Sequence, residues 1–126
     1  MASESRSSFQ SPRQSNPERA EIVRHLREAR TKIDRADYDG SFTESRKALE
    51  LLRALSPATT PIERNSQDRD AGQRTHAVID AFFSLASAAL HTDPSIKDFE
   101  PIRADAVALA AGTASVAQQV FAWLDR

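Results

Sequence analysis

The most regular pattern of apolar and polar positions lies near the end of the chain, over residues 101–124. Apolar or small residues recur there at alternating steps of four and three, the spacing that places side chains on one face of an α-helix. A second line of apolar residues widens this face, and no charged residue falls between Ala106 and Leu124. The pattern predicts a long helix that needs packing partners along a broad face. The first line comprises Ile102, Ala106, Leu109, Thr113, Val116, Val120 and Trp123.

Two earlier helices are predicted to form an antiparallel hairpin. Asn16 is a suitable N-cap and Pro17 suits the first helical position, and apolar residues then follow with helical spacing. Residues 37–40 (Asp-Tyr-Asp-Gly) are predicted to be the turn, and residues 41–44 (Ser-Phe-Thr-Glu) to open the second helix as a capping box. Pro57 ends that helix, because proline lacks the amide hydrogen that a helix interior needs. So short a connection requires the two helices to run antiparallel.

A third helix is predicted over about residues 73–90, where apolar residues again recur with helical spacing. The polar connection before it, residues 57–70, is longer than most helix–helix loops, so we expect it to be mobile. The segment His-Thr-Asp-Pro at residues 91–94 ends the third helix. Asp98 or Glu100 is expected to cap the last helix, where a negative charge also suits the helix dipole.

Together these patterns predict an all-α fold, an up-down bundle of four, or four to five, helices over residues 17–126. The low glycine content and the scarcity of alternating β-branched runs argue against a β-sandwich or barrel. Residues 1–16 are mostly Ser, Gln, Arg and Pro with a single Phe9. Such a segment cannot bury enough apolar surface to offset its ordering entropy, so we expect a disordered tail.

The composition narrows the class of protein. A length of 126 residues suits one domain. The absence of cysteine excludes disulfides and thiolate metal sites. The formal net charge is −1, whereas nucleic-acid-binding domains typically carry an excess of positive charge. The initial segment MASESRSSFQ has no apolar core of a signal peptide, and no run of residues looks like a membrane span. We therefore predict a cytoplasmic protein that does not enter a membrane.

No pattern in the sequence indicates a cofactor or a metal ion. The three histidines, His25, His76 and His91, share no metal-ligand spacing. There is also no glycine-rich phosphate loop and no glycine-flanked nucleophilic serine. The prediction is therefore that the protein uses neither.

Residues 36–51, ADYDGSFTESRKALEL, resemble the second half of a tetratricopeptide repeat. In that family a turn with Gly-Asp-Tyr precedes a helix that ends in Lys-Ala-Leu-Glu-Leu. Here Ala36 stands in place of the turn glycine, and Ser41 and Ser45 stand in place of the packing residues. Because a solenoid needs about three repeats and no second copy follows, the resemblance implies a single helical hairpin over residues 29–52.

A longer part of the chain, roughly residues 18–124, is similar to the helical domains of bacterial abortive-infection proteins and to the HEPN superfamily. The similarity rests on the segments SRKALELL at residues 45–52, FFSLASAALH at residues 82–91 and IRADA at residues 102–106. Such domains are bundles of four to five helices, often dimeric, in anti-phage and toxin–antitoxin systems. The resemblance therefore implies a bacterial protein with this architecture.

Active HEPN members are ribonucleases whose motif is an Arg and, after four to six further residues, a His. Arg19 with His25 and Arg69 with His76 match this count, and Asp70 follows the second Arg as a polar residue does in the family. In that chemistry an Arg stabilises phosphorane charge and a His moves the 2′-hydroxyl proton. The alternative is that residues 69–76 simply form the cap of the third helix.

These observations favour a protein–protein interaction or oligomerisation module, accessory to a bacterial defence or toxin–antitoxin system, over an enzyme. The expected partner is a second copy of the chain, another protein, or both. The face of the last helix is wider than three neighbours cover, so we predict a dimer seam at Leu109, Val116, Val120 and Trp123. One alternative is a metal-independent ribonuclease that acts on RNA through Arg69, Asp70 and His76. Another is a bundle that holds a ligand between helices three and four.

Overall fold

The computed structural model of this protein describes residues 16–56, 64–89 and 99–126. Within these ranges the long regular elements are four α-helices and no strand is present, which confirms the predicted all-α bundle. Most of the predicted tail, residues 57–63 of the connection, and residues 90–98 lie outside the described residues. The elements are α1 (Asn16–Asp34), α2 (Tyr38–Leu55), a short 3-10 turn (Ser66–Asp68), α3 (Ala71–Ala88) and α4 (Arg103–Leu124).

Helices α2 and α4 are the central elements, since each of them packs against the other three helices. The helices α1 and α2 form the predicted hairpin, and α3 packs on α2 and α4. The core between them is almost entirely aliphatic, with Phe42 fully buried near its middle. The Phe42 ring meets the ring of Phe99, which lies just before α4, at a centroid distance of 5.8 Å. This contact links the hairpin to the segment that leads into α4.

The second helix begins three residues earlier than predicted, so the capping-box prediction for residues 41–44 was wrong. Asp37 is the N-cap, and its carboxylate accepts a hydrogen bond from the Gly40 amide at 2.9 Å. A Cβ atom at Gly40 would overlap that carboxylate, so glycine leaves room for the cap. Ser41 is buried in the first turns of the helix, and Glu44 reaches across to His25 on α1. Asp37, and not the later Ser41, is therefore the N-cap of α2.

The turn between α1 and α2 is a Schellman motif that uses an alanine where glycine is usual. The amide of Asp37 bonds to the carbonyl of Lys32 at 2.8 Å, and the amide of Ala36 bonds to the carbonyl of Ile33 at 2.9 Å. These bonds require Ala36 to adopt a left-handed conformation, with φ at 59°. A Cβ atom in this region is strained by about 1–2 kcal/mol.

Ala36→Gly is therefore expected to stabilise the protein by about 0.5–1 kcal/mol, because relief of strain exceeds the added entropy of the unfolded chain. The midpoint of urea denaturation should rise. The matched control is Ala81→Gly at an exposed position inside α3, where glycine should lower stability by about 1 kcal/mol. A fall in the midpoint for both variants would contradict the assigned turn.

Two contacts fix the position of α3 and of the start of α4. Gly112 lets α3 approach closely, because a Cβ atom there would lie only 2.7 Å from the Phe82 ring. At the start of α4 the amide of Ile102 donates to Asp105 at 2.9 Å, so the stabilising carboxylate comes from inside the helix. The predicted cap was Asp98 or Glu100. Asp98 lies outside the described residues, and Glu100 is exposed.

Candidate interaction surface

The side of α4 that was predicted as a dimer seam is its core side within one chain. Leu109 is 1% exposed, Val116 9% and Val120 0%. Trp123 is half-buried, and the guanidinium of Arg126 lies 5.8 Å from the centre of its ring. Leu109, Val116 and Val120 belong to the chain's own core, so three of the four predicted seam residues already pack within one chain.

A second line of small or uncharged residues runs along the opposite side of α4. It recurs at steps of four and three, like the core line, and all of its residues are exposed. We call it the outer line: Ala104, Ala108, Ala111, Ser115, Gln118 and Ala122. A surface helix normally places charged residues on its solvent side. The outer line carries none, so α4 has a helical pattern suited to packing on two opposite sides.

By length and composition α4 could cross a membrane. The sequence pattern, in contrast, predicted no membrane-spanning segment. The 22 residues of α4 include a window of mean hydropathy 1.3, of which 28% is buried inside the structure. Alanine is the commonest residue of this helix, and together with Val107, Val116 and Val120 it gives the helix most of its apolar character. The core helix of a water-soluble protein meets the same criterion, so length and composition alone do not separate the two cases.

Beside the outer line, α1 and α4 enclose an open groove of about 480 Å³. Its floor is apolar and its rim is charged, and Val107 on its wall is 42% exposed. From α1 the groove is lined by Val23, Leu26, Arg27, Arg30, Ile33 and Asp34. From α4 it is lined by Arg103, Val107, Ala110, Ala111 and Ala114. We call this feature the α1–α4 groove.

One end of the helix pair is closed by a bidentate ion pair. Arg19, in the first turn of α1, donates to the two oxygens of Asp125 at 2.7 and 3.1 Å, and its guanidinium lies 5.2 Å from the Phe121 ring centre. These hydrogen bonds hold the pKa of the Asp125 carboxyl below its ordinary value. The contact shows that α1 and α4 run antiparallel, since the start of α1 meets the end of α4. Arg103 consequently lies at the other end, near the last turns of α1.

The rim of the groove carries arginines that have no partner. Arg27, Arg30 and Arg103 are exposed, and within the described ranges no hydrogen bond or ion pair engages their guanidinium groups. Arg24, outside the groove, is paired instead: it binds Glu21 through two hydrogen bonds of 3.0 Å. With one aspartate beside three arginines, the groove lining has a formal charge of +2, whereas the whole chain has −1. The groove is therefore an apolar trough with a positive edge.

The residues predicted for a ribonuclease have structural roles at the start of α3. Asp70 is the N-cap of α3: it accepts from the Gln73 amide at 2.7 Å, while the Gln73 side chain accepts from the Asp70 amide at 3.2 Å. Arg69 donates to the carbonyl of Arg64 at 3.4 Å. His76 lies in the second turn, with its Nε2 3.6 Å from an oxygen of Asp80. The alternative prediction, that this segment caps a helix, is confirmed for Asp70.

Asp70→Ala is expected to lower the free energy of unfolding by about 1 kcal/mol, because the first turn of α3 loses a side-chain acceptor. Asp70→Ser should retain most of the stability, since a serine hydroxyl can accept the same bond. Urea denaturation of the two variants measures the difference. Equal loss in both would mean that the carboxylate acts in some way other than as a cap.

The second pair with ribonuclease spacing, Arg19 and His25, is divided between two different contacts. Arg19 binds Asp125, as described above, while His25 Nδ1 lies 2.7 Å from Glu44 on α2 in the largely buried α1–α2 seam. Each residue therefore joins α1 to a different helix. Among the described residues no group of three or more His, Asp or Glu side chains could hold a metal ion.

The groove itself was not predicted from the sequence. One alternative prediction from the sequence placed a ligand between helices three and four. In the structure Phe82 lies directly against Gly112 there. The available signal was on α1, where Arg27 and Arg30 flank the apolar positions Leu26 and Ile33 on one side of the helix. Only the packing of α4 beside α1 turns that pattern into a groove.

No protein-family model matches this sequence, and no curated protein or solved structure matches it significantly. The functional class therefore has to follow from the residues and their arrangement.

Proposed function

We propose that this chain is a protein–protein interaction module that accepts a helix of another protein in the α1–α4 groove. The observation that carries the proposal is the combination of a long helix, α4, that has no charged residue between Ala106 and Leu124, with an apolar groove that leaves Val107 42% exposed. Contiguous apolar surface with a polar rim is typical of sites where proteins bind one another. The resemblance of this chain to the helical domains of abortive-infection proteins supports an accessory role in a bacterial defence or toxin–antitoxin system.

The shape of the groove favours a helix as the bound element. Two antiparallel helices form its walls, and an amphipathic helix binds such a trough through residues at steps of three and four. Its apolar lining includes Val23, Leu26 and Val107, whose full burial would contribute about 1.5–3 kcal/mol each. Because association costs at least about 4 kcal/mol, these side chains alone leave at most about 5 kcal/mol, which corresponds to a Kd of about 0.2 mM.

A photo-crosslinking amino acid at Ala111, on the edge of the groove, tests the proposal in cells that produce the protein. We expect a crosslinked product of one defined mass. The same amino acid at exposed Ala81 on α3 should give no such product. Ala114→Trp, which fills the groove without changing its charge, should reduce the yield at Ala111 about fivefold or more. Equal products at both positions, or a yield unaffected by Ala114→Trp, would contradict the proposal.

A second candidate function is self-association through the outer line, because that line exposes no charge. Two copies of α4 can pack antiparallel about a two-fold axis, where small side chains allow close approach and the helix dipoles oppose each other. Each buried alanine methyl contributes only about 0.8 kcal/mol, so a dimer formed by these side chains is expected to be weak and concentration-dependent.

Sedimentation velocity over a rising concentration series measures this self-association. We expect the average mass to increase toward that of a dimer at high micromolar concentration. Ala108→Glu places a charge in the outer line and should abolish the increase. The control, Ala81→Glu, makes the same change on an exposed site of α3 and should have no effect. A mass equal to one chain throughout would exclude self-association through α4.

A further inference from the structure

We infer that the helix bound by the α1–α4 groove is acidic as well as amphipathic, with Glu or Asp on both flanks of its apolar strip. This inference rests on the proposed function and identifies the chemistry of the partner. The groove combines two requirements that a single ligand must meet. Its apolar floor needs apolar side chains, and its three arginines, which have no partner among the described residues, need negative charge.

The arginines lie on both walls of the groove. Arg27 and Arg30 are one turn apart on α1, and Arg103 is on α4. A helix lying between these walls would present its apolar strip to the floor and its two flanks to the two rims. Carboxylates on both flanks would then meet guanidinium groups, which hydrogen-bond carboxylates in a bidentate geometry. The only acid in the lining, Asp34, lies at one end and leaves the net charge at +2.

The α4 helix of a second copy does not supply the acidic flanks. The outer line of α4 carries no charged residue, and no acidic residue occurs between Asp105 and Asp125. If the α4 of another copy occupied the groove, the rim arginines would lose water without gaining a carboxylate, which is unfavourable. The α4 helix of a second copy is therefore not the expected occupant.

Phosphate-bearing ligands match only half of the groove. RNA or an anionic membrane surface would satisfy the arginines, and a membrane would also accept apolar side chains. A nucleic acid backbone gains nothing from the apolar lining residues Val23, Leu26 and Val107. The chain as a whole has a net charge of −1, which does not favour long-range attraction to a polyanion. A narrow trough between two helices also suits a rod-shaped ligand better than a flat bilayer.

The test uses three fluorescein-labelled peptides of about 18 residues, long enough for a few helical turns. All three have the same leucines at steps of three and four, and their flanking positions are Glu, Gln or Lys. Fluorescence anisotropy with the full-length protein measures each affinity. We expect the Glu peptide to bind about tenfold more tightly than the Gln peptide, and the Lys peptide to bind most weakly. The preference should shrink in about 0.5 M NaCl, because rim charges are screened.

Charge-reversed proteins show whether the rim arginines cause the preference. Arg27→Glu with Arg30→Glu should invert it, so that the Lys peptide binds more tightly than the Glu peptide. The matched control is Arg35→Glu with Arg64→Glu, which changes the net charge equally at exposed arginines outside the groove. This control should keep the Glu preference.

Each other outcome overturns the inference in a distinguishable way. Equal binding of all three peptides would mean that the groove takes helices regardless of charge, which leaves the proposed function intact. No peptide binding, with the crosslinked product at Ala111 still present, would mean a partner of other chemistry. No peptide binding and no crosslinked product would remove the proposed function as well. Tighter binding of a single-stranded RNA or of phosphatidylglycerol vesicles, lost in the Arg27→Glu, Arg30→Glu protein, would assign the groove to that ligand instead.

Discussion

Leu109→Glu is expected to unfold the protein, whereas Val107→Glu, two positions earlier on the same helix, is expected to leave it folded. Leu109 is 1% exposed in the aliphatic core, where a carboxylate would have neither water nor a cationic partner. Burying an unpaired charge costs several kcal/mol, comparable with the entire stability of a small domain. Val107 is 42% exposed on the wall of the groove, so a carboxylate there can stay hydrated and the change in stability should stay within about 1 kcal/mol.

Circular dichroism and urea denaturation of the two variants measure this difference. The Leu109→Glu protein should lack a cooperative transition, and the Val107→Glu protein should retain the helical spectrum and the native midpoint. A folded Leu109→Glu protein would mean that the core line of α4 is misassigned. An unfolded Val107→Glu protein would mean that the groove wall is part of the core.

Phe42→Ala is expected to lower the free energy of unfolding by about 3–5 kcal/mol. The Phe42 side chain is fully buried where α2 meets the rest of the core, and its ring contacts Phe99 ahead of α4. Alanine would leave a cavity and also release the segment that leads into α4. Phe42→Leu keeps much of the volume and should cost clearly less, about 1–2 kcal/mol. Urea denaturation compares the two; a cost below about 1 kcal/mol for the alanine variant would place Phe42 outside the cooperative core.

The four helices could be predicted from the sequence because their apolar positions repeat with helical spacing. This periodicity did not reveal that α4 carries a second line of small or uncharged residues, with the same steps, on its exposed side. Leu109 and Val116 lie on the core line, while Ala108 and Ser115 lie on the outer line, and both lines have the same steps. The bulkier residues fill the core and the smaller ones remain outside, so side-chain volume, not spacing, distinguishes the two sides.

Element starts were harder to predict because several residues competed for the same cap. Asp37 and Ser41 both suit an N-cap, and the earlier residue prevails since Gly40 admits the Asp37 carboxylate and Ala36 accepts a positive φ. Residues 69–76 show the same difficulty in the prediction of a catalytic site. The Arg and His spacing matched a catalytic motif, while Asp70 within it caps a helix. Motif spacing alone could not separate these roles, because a cap needs only local bonds.

The groove depends on which helices become neighbours, and this information is not local. Arg27 and Arg30 lie on a mixed, charged helix and look like ordinary solvated residues in the sequence. They become the rim of a groove only because the Arg19–Asp125 pair and the core place α4 antiparallel beside α1. Sites formed between two elements that are distant in sequence are therefore the hardest to predict from a single sequence.

We propose that the α1–α4 groove is a docking site for an acidic helix. The most direct measurement is the change in backbone amide NMR signals of the protein as the Glu-flanked peptide is added. We expect shifts concentrated over residues 23–34 of α1 and 103–114 of α4, with little change along α2 and α3. Shifts concentrated on α2 and α3, or no shifts at peptide concentrations in the high micromolar range, would contradict it.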